Sequence, residues 1–268
     1  MPTNKSSLLT SDHPKARRAN EIFRAQYDKA RLDLPAGQRL NESPIFASRL
    51  LELISACAAA EPDYSVARAV LGDDFVSPEE IMRLRPEVAY SPKQLLELGA
   101  SVPQRHVLEQ LKERGMVLVP GPHRKLSLVQ IGTIRSNHFD RKVHPFFGYY
   151  ADDKQYPYTQ FASPGWLAMQ KTALQGSEKR TWRQQLALLR REERVLNIAE
   201  YAWIMSSVFD VRSVELPTKC MIRTSTMYDR WNGQVYIWGL GEKGGIGYNF
   251  GWNQNEFDGL GISAGLRL

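Results

Sequence analysis

Between residues 43 and 94 the sequence writes the same helix start three times: Ser43-Pro44, Ser77-Pro78-Glu79-Glu80 and Ser91-Pro92-Lys93-Gln94. A serine hydroxyl at the N-cap accepts a backbone N–H that the first turn leaves unpaired. Proline at the next position lacks an N–H and has its φ already set for a helix. Glu80 or Gln94, three residues after the serine, can reach back to the cap N–H. These starts predict helices over about 45–60, 78–85 and 92–98. Two more are expected, near 63–71 ending at Gly72 and near 104–114 ending at Gly115. Val117-Leu118-Val119 then runs into Pro120-Gly121-Pro122, a stop signal.

Beyond Leu126 the pattern changes. All six tryptophans fall in the last 103 residues, and ten of the 19 glycines in the last 50. Strands are expected over Leu126–Ile134, Phe146–Tyr150 and Pro164–Met169, then around 219–224, 234–239, 245–250 and 261–268. Helices are expected over Lys179–Leu189 and Glu192–Phe209. In the second, Val195, Ile198, Ala199, Ala202, Met205, Ser206 and Phe209 would form one apolar face. The chain therefore reads as α+β: a helical N-terminal region, then short strands with one or two helices. The expected divisions are an arm at 1–42, a small helical domain at 43–125 and an α+β domain at 126–268.

Lysine and arginine number 35 against 29 acids, a net charge of +6. Eight of the basic residues lie in residues 1–42. That stretch could be a nucleic-acid arm or a solvated helix packed on one face; its charges are interspersed with acids rather than blocked. A nucleic-acid-associated module is accordingly the alternative reading of function. No apolar run resembles a signal peptide or a membrane span, so a cytoplasmic protein of a reducing compartment is expected. Cys57 and Cys220 are far apart and form no zinc pattern, and Cys57 reads as a small core residue.

Catalytic constellations were sought by residue type and spacing. His138, Asp140 and His144 would share a strand face, with Asp152-Asp153 nearby, but their spacing matches no metal motif. Gly239-Leu240-Gly241-Glu242-Lys243-Gly244 resembles a phosphate loop only superficially, because a strand follows it, and it reads as a hairpin turn. No Gly-x-Ser-x-Gly elbow occurs. The expectation is a protein that is not an enzyme, with no cofactor and no metal.

The segment from Tyr248 to Gly259 combines rings, asparagines and glycines almost without aliphatics. A core strand would favour Val, Ile and Leu. Rings give contact area at low entropic cost, and asparagine and glycine give adaptable hydrogen bonding, which is the composition of a binding surface. An aromatic-rich structural hairpin is the other reading. The candidate ligand-binding residues are Tyr236, Trp238, Tyr248, Asn249, Phe250, Trp252, Asn253, Asn255 and Phe257.

The ending Gly259-Leu260-Gly261-Ile262-Ser263-Ala264-Gly265-Leu266-Arg267-Leu268 resembles the last strand of diversity-generating retroelement variable proteins. Those finish on a Gly-Phe-Arg-like signature after a patch of Asn, Tyr, Trp and Asp; here it is Gly-Leu-Arg. Phe75–Ile81, Gly165–Thr172 and Ile222–Ser225 are similar to stretches in proteins of candidate-phyla bacteria that share this ending. Where those proteins carry Trp-Asp-x-x-Arg, this chain has Trp252-Asn253-Gln254-Asn255-Glu256. The resemblance implies a C-type-lectin-like domain over 126–268, with a variable segment at 236–259 rewritten by adenine-directed mutagenesis. Adenine changes in an asparagine codon reach Tyr248, Asn249, Phe250, Gly251, Asn253, Asn255, Phe257 and Asp258, but not Trp252, Gln254 or Glu256. The function it implies is non-enzymatic binding of a protein or other macromolecular ligand.

Overall fold

The computed structural model describes residues 62–135, 156–217, 220–228, 233–238, 246–252 and 259–268, with scattered positions before residue 49. The chain divides into two compact units, Met1–Ala58 and Ala59–Leu268. In the first, Arg17, Glu21, Ala25 and Lys29 are helical and exposed. Pro44, Ile45 and Ser48 are helical too, as the Ser43-Pro44 device predicts.

The second unit opens with four helices: α1 (Ser65–Leu71), α2 (Pro78–Leu84), α3 (Pro92–Ala100) and α4 (Arg105–Glu113). Both expected capping boxes are present. Ser77 Oγ accepts from Glu80 N and Glu80 accepts from Ser77 N at 2.8 Å; Ser91 and Gln94 repeat the arrangement. Then follow β1 (Met116–Pro120), β2 (Leu126–Ser127), α5 (Leu128–Ile134), α6 (Tyr156–Thr159), β3 (Phe161–Ala162) and β4 (Trp166–Gln170). The remaining elements are α7 (Trp182–Leu186), α8 (Ile198–Arg212), β5 (Met221–Tyr228), β6 (Gly233–Trp238), β7 (Gly247–Trp252), β8 (Leu260–Ile262) and β9 (Gly265–Arg267). The fold is mixed α+β. Three sheets form, in the orders β1-β4-β9, β2-β3 and β7-β6-β5-β8; only the β5–β8 pair is parallel.

Four expectations are corrected. Leu126–Ile134 is a strand for two residues only and then a helix. Ser127 caps it, with Gln130 accepting the Ser127 N–H at 2.9 Å. The local cap outweighs the strand preference of the apolar run that follows. Lys179–Leu189 is helical only over Trp182–Leu186. Residues before Ile198 are not part of α8, because Asn197 is its cap and Glu200 closes the box. That helix has no single apolar face either: every residue from Ile198 to Val208 is buried. It touches strands of all three sheets, so its whole circumference is interior. Finally, 261–268 is two strands rather than one. β8 joins the four-stranded sheet, and β9 joins β4 in the three-stranded one.

The link between β8 and β9 is fixed from both sides. Ser263 Oγ donates to the Gln170 carbonyl at 2.8 Å, and the Ser263 carbonyl accepts from the Tyr201 hydroxyl at 2.7 Å. A Cβ at Gly265 would overlap the Leu196 side chain, so the close approach there requires glycine. One hydrophobic core runs from Tyr64 and Phe75 through Leu118 and Trp166 to Trp203, Val235 and Ile262. The expected division near residue 125 falls inside this unit. Trp166 Nε1 donates to the Leu98 carbonyl at 3.0 Å and Trp203 Nε1 to the Pro120 carbonyl at 2.8 Å, so both buried indoles are satisfied.

Beside α8 lies a buried charge network. Arg85 makes two hydrogen bonds to Asp210, at 2.9 and 2.7 Å. Arg135 is wholly buried, lies 4.4 Å from the Trp203 ring centroid, and directs Nη1 to Ser206 Oγ at 2.8 Å and to Asp210 at 3.1 Å. Its Nε and Nη2 have no hydrogen-bond partner. Burial, only partly offset by the Asp210 charge, pushes the Arg135 guanidinium down to about 10.

Candidate functional site

The β5–β6–β7 ladder positions the candidate binding residues. Along β6, Val235 and Ile237 are fully buried, whereas Tyr236 and Trp238 are half-buried. Alternation of side chains along a strand explains the split. Val235 and Ile237 sit on the side of the sheet that packs against α8, as do Ile222 and Thr224 of β5. Tyr236 and Trp238 stand on the other side, with ring centroids 6.1 Å apart and planes tilted by 38°. Partial burial raises the Tyr236 phenol pKa, so it stays a protonated donor at neutral pH.

Register decides which candidates share a row. Asn249 is opposite Tyr236 and Gly247 opposite Trp238. Tyr248 is opposite Ile237, Phe250 opposite Val235 and Trp252 opposite Gly233. The strand positions of Tyr248 and Phe250 thus belong to the row of the buried Val235 and Ile237, and that of Asn249 to the row of Tyr236. Asn253, Asn255 and Phe257 lie outside the described residues. The Gly239–Gly244 turn also lies outside them, but it joins strands that are adjacent and antiparallel, as a hairpin requires.

The row holding Tyr236 and Trp238 continues into β5, where Arg223 is opposite Tyr236 and Met221 opposite Trp238. Arg223 is buried, and its Nη1 donates to Gln185 Oε1 at 2.9 Å and to the Arg180 carbonyl at 3.1 Å. Burial lowers its pKa. Gln185 in turn donates to the carbonyls of Ser177, at 2.7 Å, and Leu260, at 3.0 Å. This network clamps α7 and its approach onto the sheet, so the aromatic row ends against a fixed wall. Neither Arg223 nor Gln185 carries a sequence signal for this role, since their pairing spans 38 residues.

His138, Asp140, His144 and Cys57 lie outside the described residues. Among the described residues no group of three or more His, Cys, Asp or Glu is placed to hold a metal. Cys220 is half-buried and its thiol is pushed up by burial, which suppresses the nucleophilic thiolate. No described helix is long and apolar enough to cross a membrane. Set against protein-family models, curated proteins and solved structures, the chain matches none of them.

Proposed function

We propose that this protein is a non-enzymatic binder, with a lectin-like C-terminal scaffold displaying a diversified aromatic and asparagine-rich surface to a protein or other macromolecular ligand. The observation that carries the reading is the division along β6. Val235 and Ile237 anchor the strand in the core, while Tyr236 and Trp238 are left half-exposed as a tilted ring pair on a sheet face buttressed by Arg223 and Gln185. Rigid rings on a fixed strand contribute contact area with little ordering cost. The ending that resembles the variable-protein signature supports the same reading: its two short strands stitch the two larger sheets together, a scaffold role compatible with variation in the segment before it.

The test is to sequence the DNA flanking the coding region. A near-copy of the last codons, differing only where the copy has adenine and lying beside a reverse transcriptase, is the expected result and would mark the contact positions. Absence of any such repeat would remove the diversified-surface reading. Once a target is identified by that route, Tyr248→Ala, Phe250→Ala and Phe257→Ala together should abolish its binding and leave the domain folded. Unfolding of the triple variant would instead assign these residues to the core.

A further inference from the structure

A cleft of about 300 Å³ lies between α3, the 121–123 turn and the 164–165 turn, formed by parts of the chain that the proposed binding surface does not use. That is the lower end of volumes that hold small ligands. Its apolar walls are the Tyr90 ring, Leu98, Pro122 and Pro164. Its polar groups divide by sign. The donors already have partners: the Tyr90 hydroxyl donates to the Gly121 carbonyl at 2.7 Å, the Gln94 amide to the His123 carbonyl, and the Ser101 hydroxyl to the Leu98 carbonyl at 3.3 Å. Two other polar groups remain, the Glu97 carboxylate at the rim and His123 Nδ1, which is buried without a hydrogen-bond partner. No lysine or arginine lines the cleft.

The imidazole is held edge-on to Tyr90, with ring centroids 6.5 Å apart and planes at 85°. Burial, aided by the charge of Arg124, lowers its pKa, so the ring is neutral at neutral pH and does not repel a cation. In the Nε2–H tautomer, Nδ1 offers a lone pair to the cleft. Lys93 Nζ is 3.9 Å from Glu97, but both side chains are mostly exposed, and such a pair contributes little. The carboxylate can therefore exchange that partner for a ligand's charge.

We infer that this cleft binds a primary ammonium group on a short alkyl chain, the chain lying between Tyr90, Leu98 and the prolines and the ammonium between Glu97 and His123 Nδ1. A free alkylamine and a lysine side chain of another protein share this chemistry. Titrating the full chain with n-butylammonium, 1-butanol and N-acetyl-lysine methylamide, while following the His123 ring signals by NMR, tests the assignment and separates the sources. Butylammonium should shift the His123 signals saturably, and 1-butanol should not. Glu97→Gln, a change at an exposed side chain, should weaken the interaction about fivefold, the effect of one solvent-exposed ion pair. A lysine derivative binding at least as tightly as butylammonium would identify a protein lysine as the source; weaker binding would identify a free amine. No saturable shift, an equal response to 1-butanol, or undiminished binding by Glu97→Gln would each overturn the inference.

Discussion

Replacing Asp210 by asparagine should be among the most damaging single changes in the Ala59–Leu268 unit, and more damaging than deleting the wholly buried Arg135. Asp210 is the shared anion of two guanidiniums, with Arg85 at 2.7 and 2.9 Å and Arg135 at 3.1 Å, and its side chain is 7% exposed. Removing its charge leaves two like charges in the interior with one weak acceptor between them. Breaking a buried pair from one side costs about 3–5 kcal/mol. For a unit of this size that corresponds to a fall in Tm of about 10 °C. Arg135→Met is different. It leaves the two-point Arg85–Asp210 pair intact and removes two donors that have no partner. Its cost should stay within about 1 kcal/mol, with the lost contact to the Trp203 ring as the main debit. The double variant Asp210→Asn/Arg135→Met should then be more stable than Asp210→Asn alone, because only one buried cation remains to be accommodated. Urea unfolding followed by tryptophan fluorescence measures all three. The reasoning fails if Arg135→Met costs as much as Asp210→Asn, or if the double variant is the least stable of the set.

Other predictions follow from the same contacts. On β6, Val235→Ala and Ile237→Ala should each cost about 1–4 kcal/mol, whereas Tyr236→Ala and Trp238→Ala should cost much less; equal costs would refute the assignment of a core side and an open side. A Cβ at Gly121 would run into the Ser163 carbonyl oxygen, a backbone atom that cannot turn aside, so Gly121→Ala should fail to give a folded protein; a normal melting curve would contradict that geometry. Burial pushes the Glu80 carboxyl up, but the Arg212 hydrogen bond, the Ser77 N–H and the charges of Arg212 and Arg68 outweigh it and hold the group below its ordinary 4.5. A carboxyl depressed in the folded state stabilises above its ordinary value and loses that contribution as pH falls through its folded value. Glu80→Gln should therefore flatten the acid side of the stability profile below pH 4.5 and leave its shape at higher pH unchanged; identical acid limbs would argue against the assignment. Ser127→Ala should destabilise by about 0.5–2 kcal/mol through loss of the α5 cap, measurable by the same urea titration.

The helix starts were legible in the sequence because each is a local device. Ser77 and Ser91, with their following prolines and N3 acceptors, are complete within four residues, and the structure places helices from Pro78 and Pro92. The same device at Ser127…Gln130 was overlooked because the run between them is apolar and β-prone, although the cap decides its conformation. The strands Trp166–Gln170, Met221–Tyr228 and Gly233–Trp238 were visible from their composition and bounding turns, as was the α+β class. What the tertiary structure alone decided is everything that depends on long-range pairing. An all-round apolar helix such as Ile198–Arg212 can be placed only once sheets surround it. The break at Ser263-Ala264 exists because two sheets claim the ends of one short segment. Arg85 meets Asp210 across 125 residues, and no local pattern encodes such a meeting. The binding surface lies between these cases. Its composition was readable, but the division of its rows between core and open face is set by the β6–β7 register, because a shift of one residue would exchange the two faces.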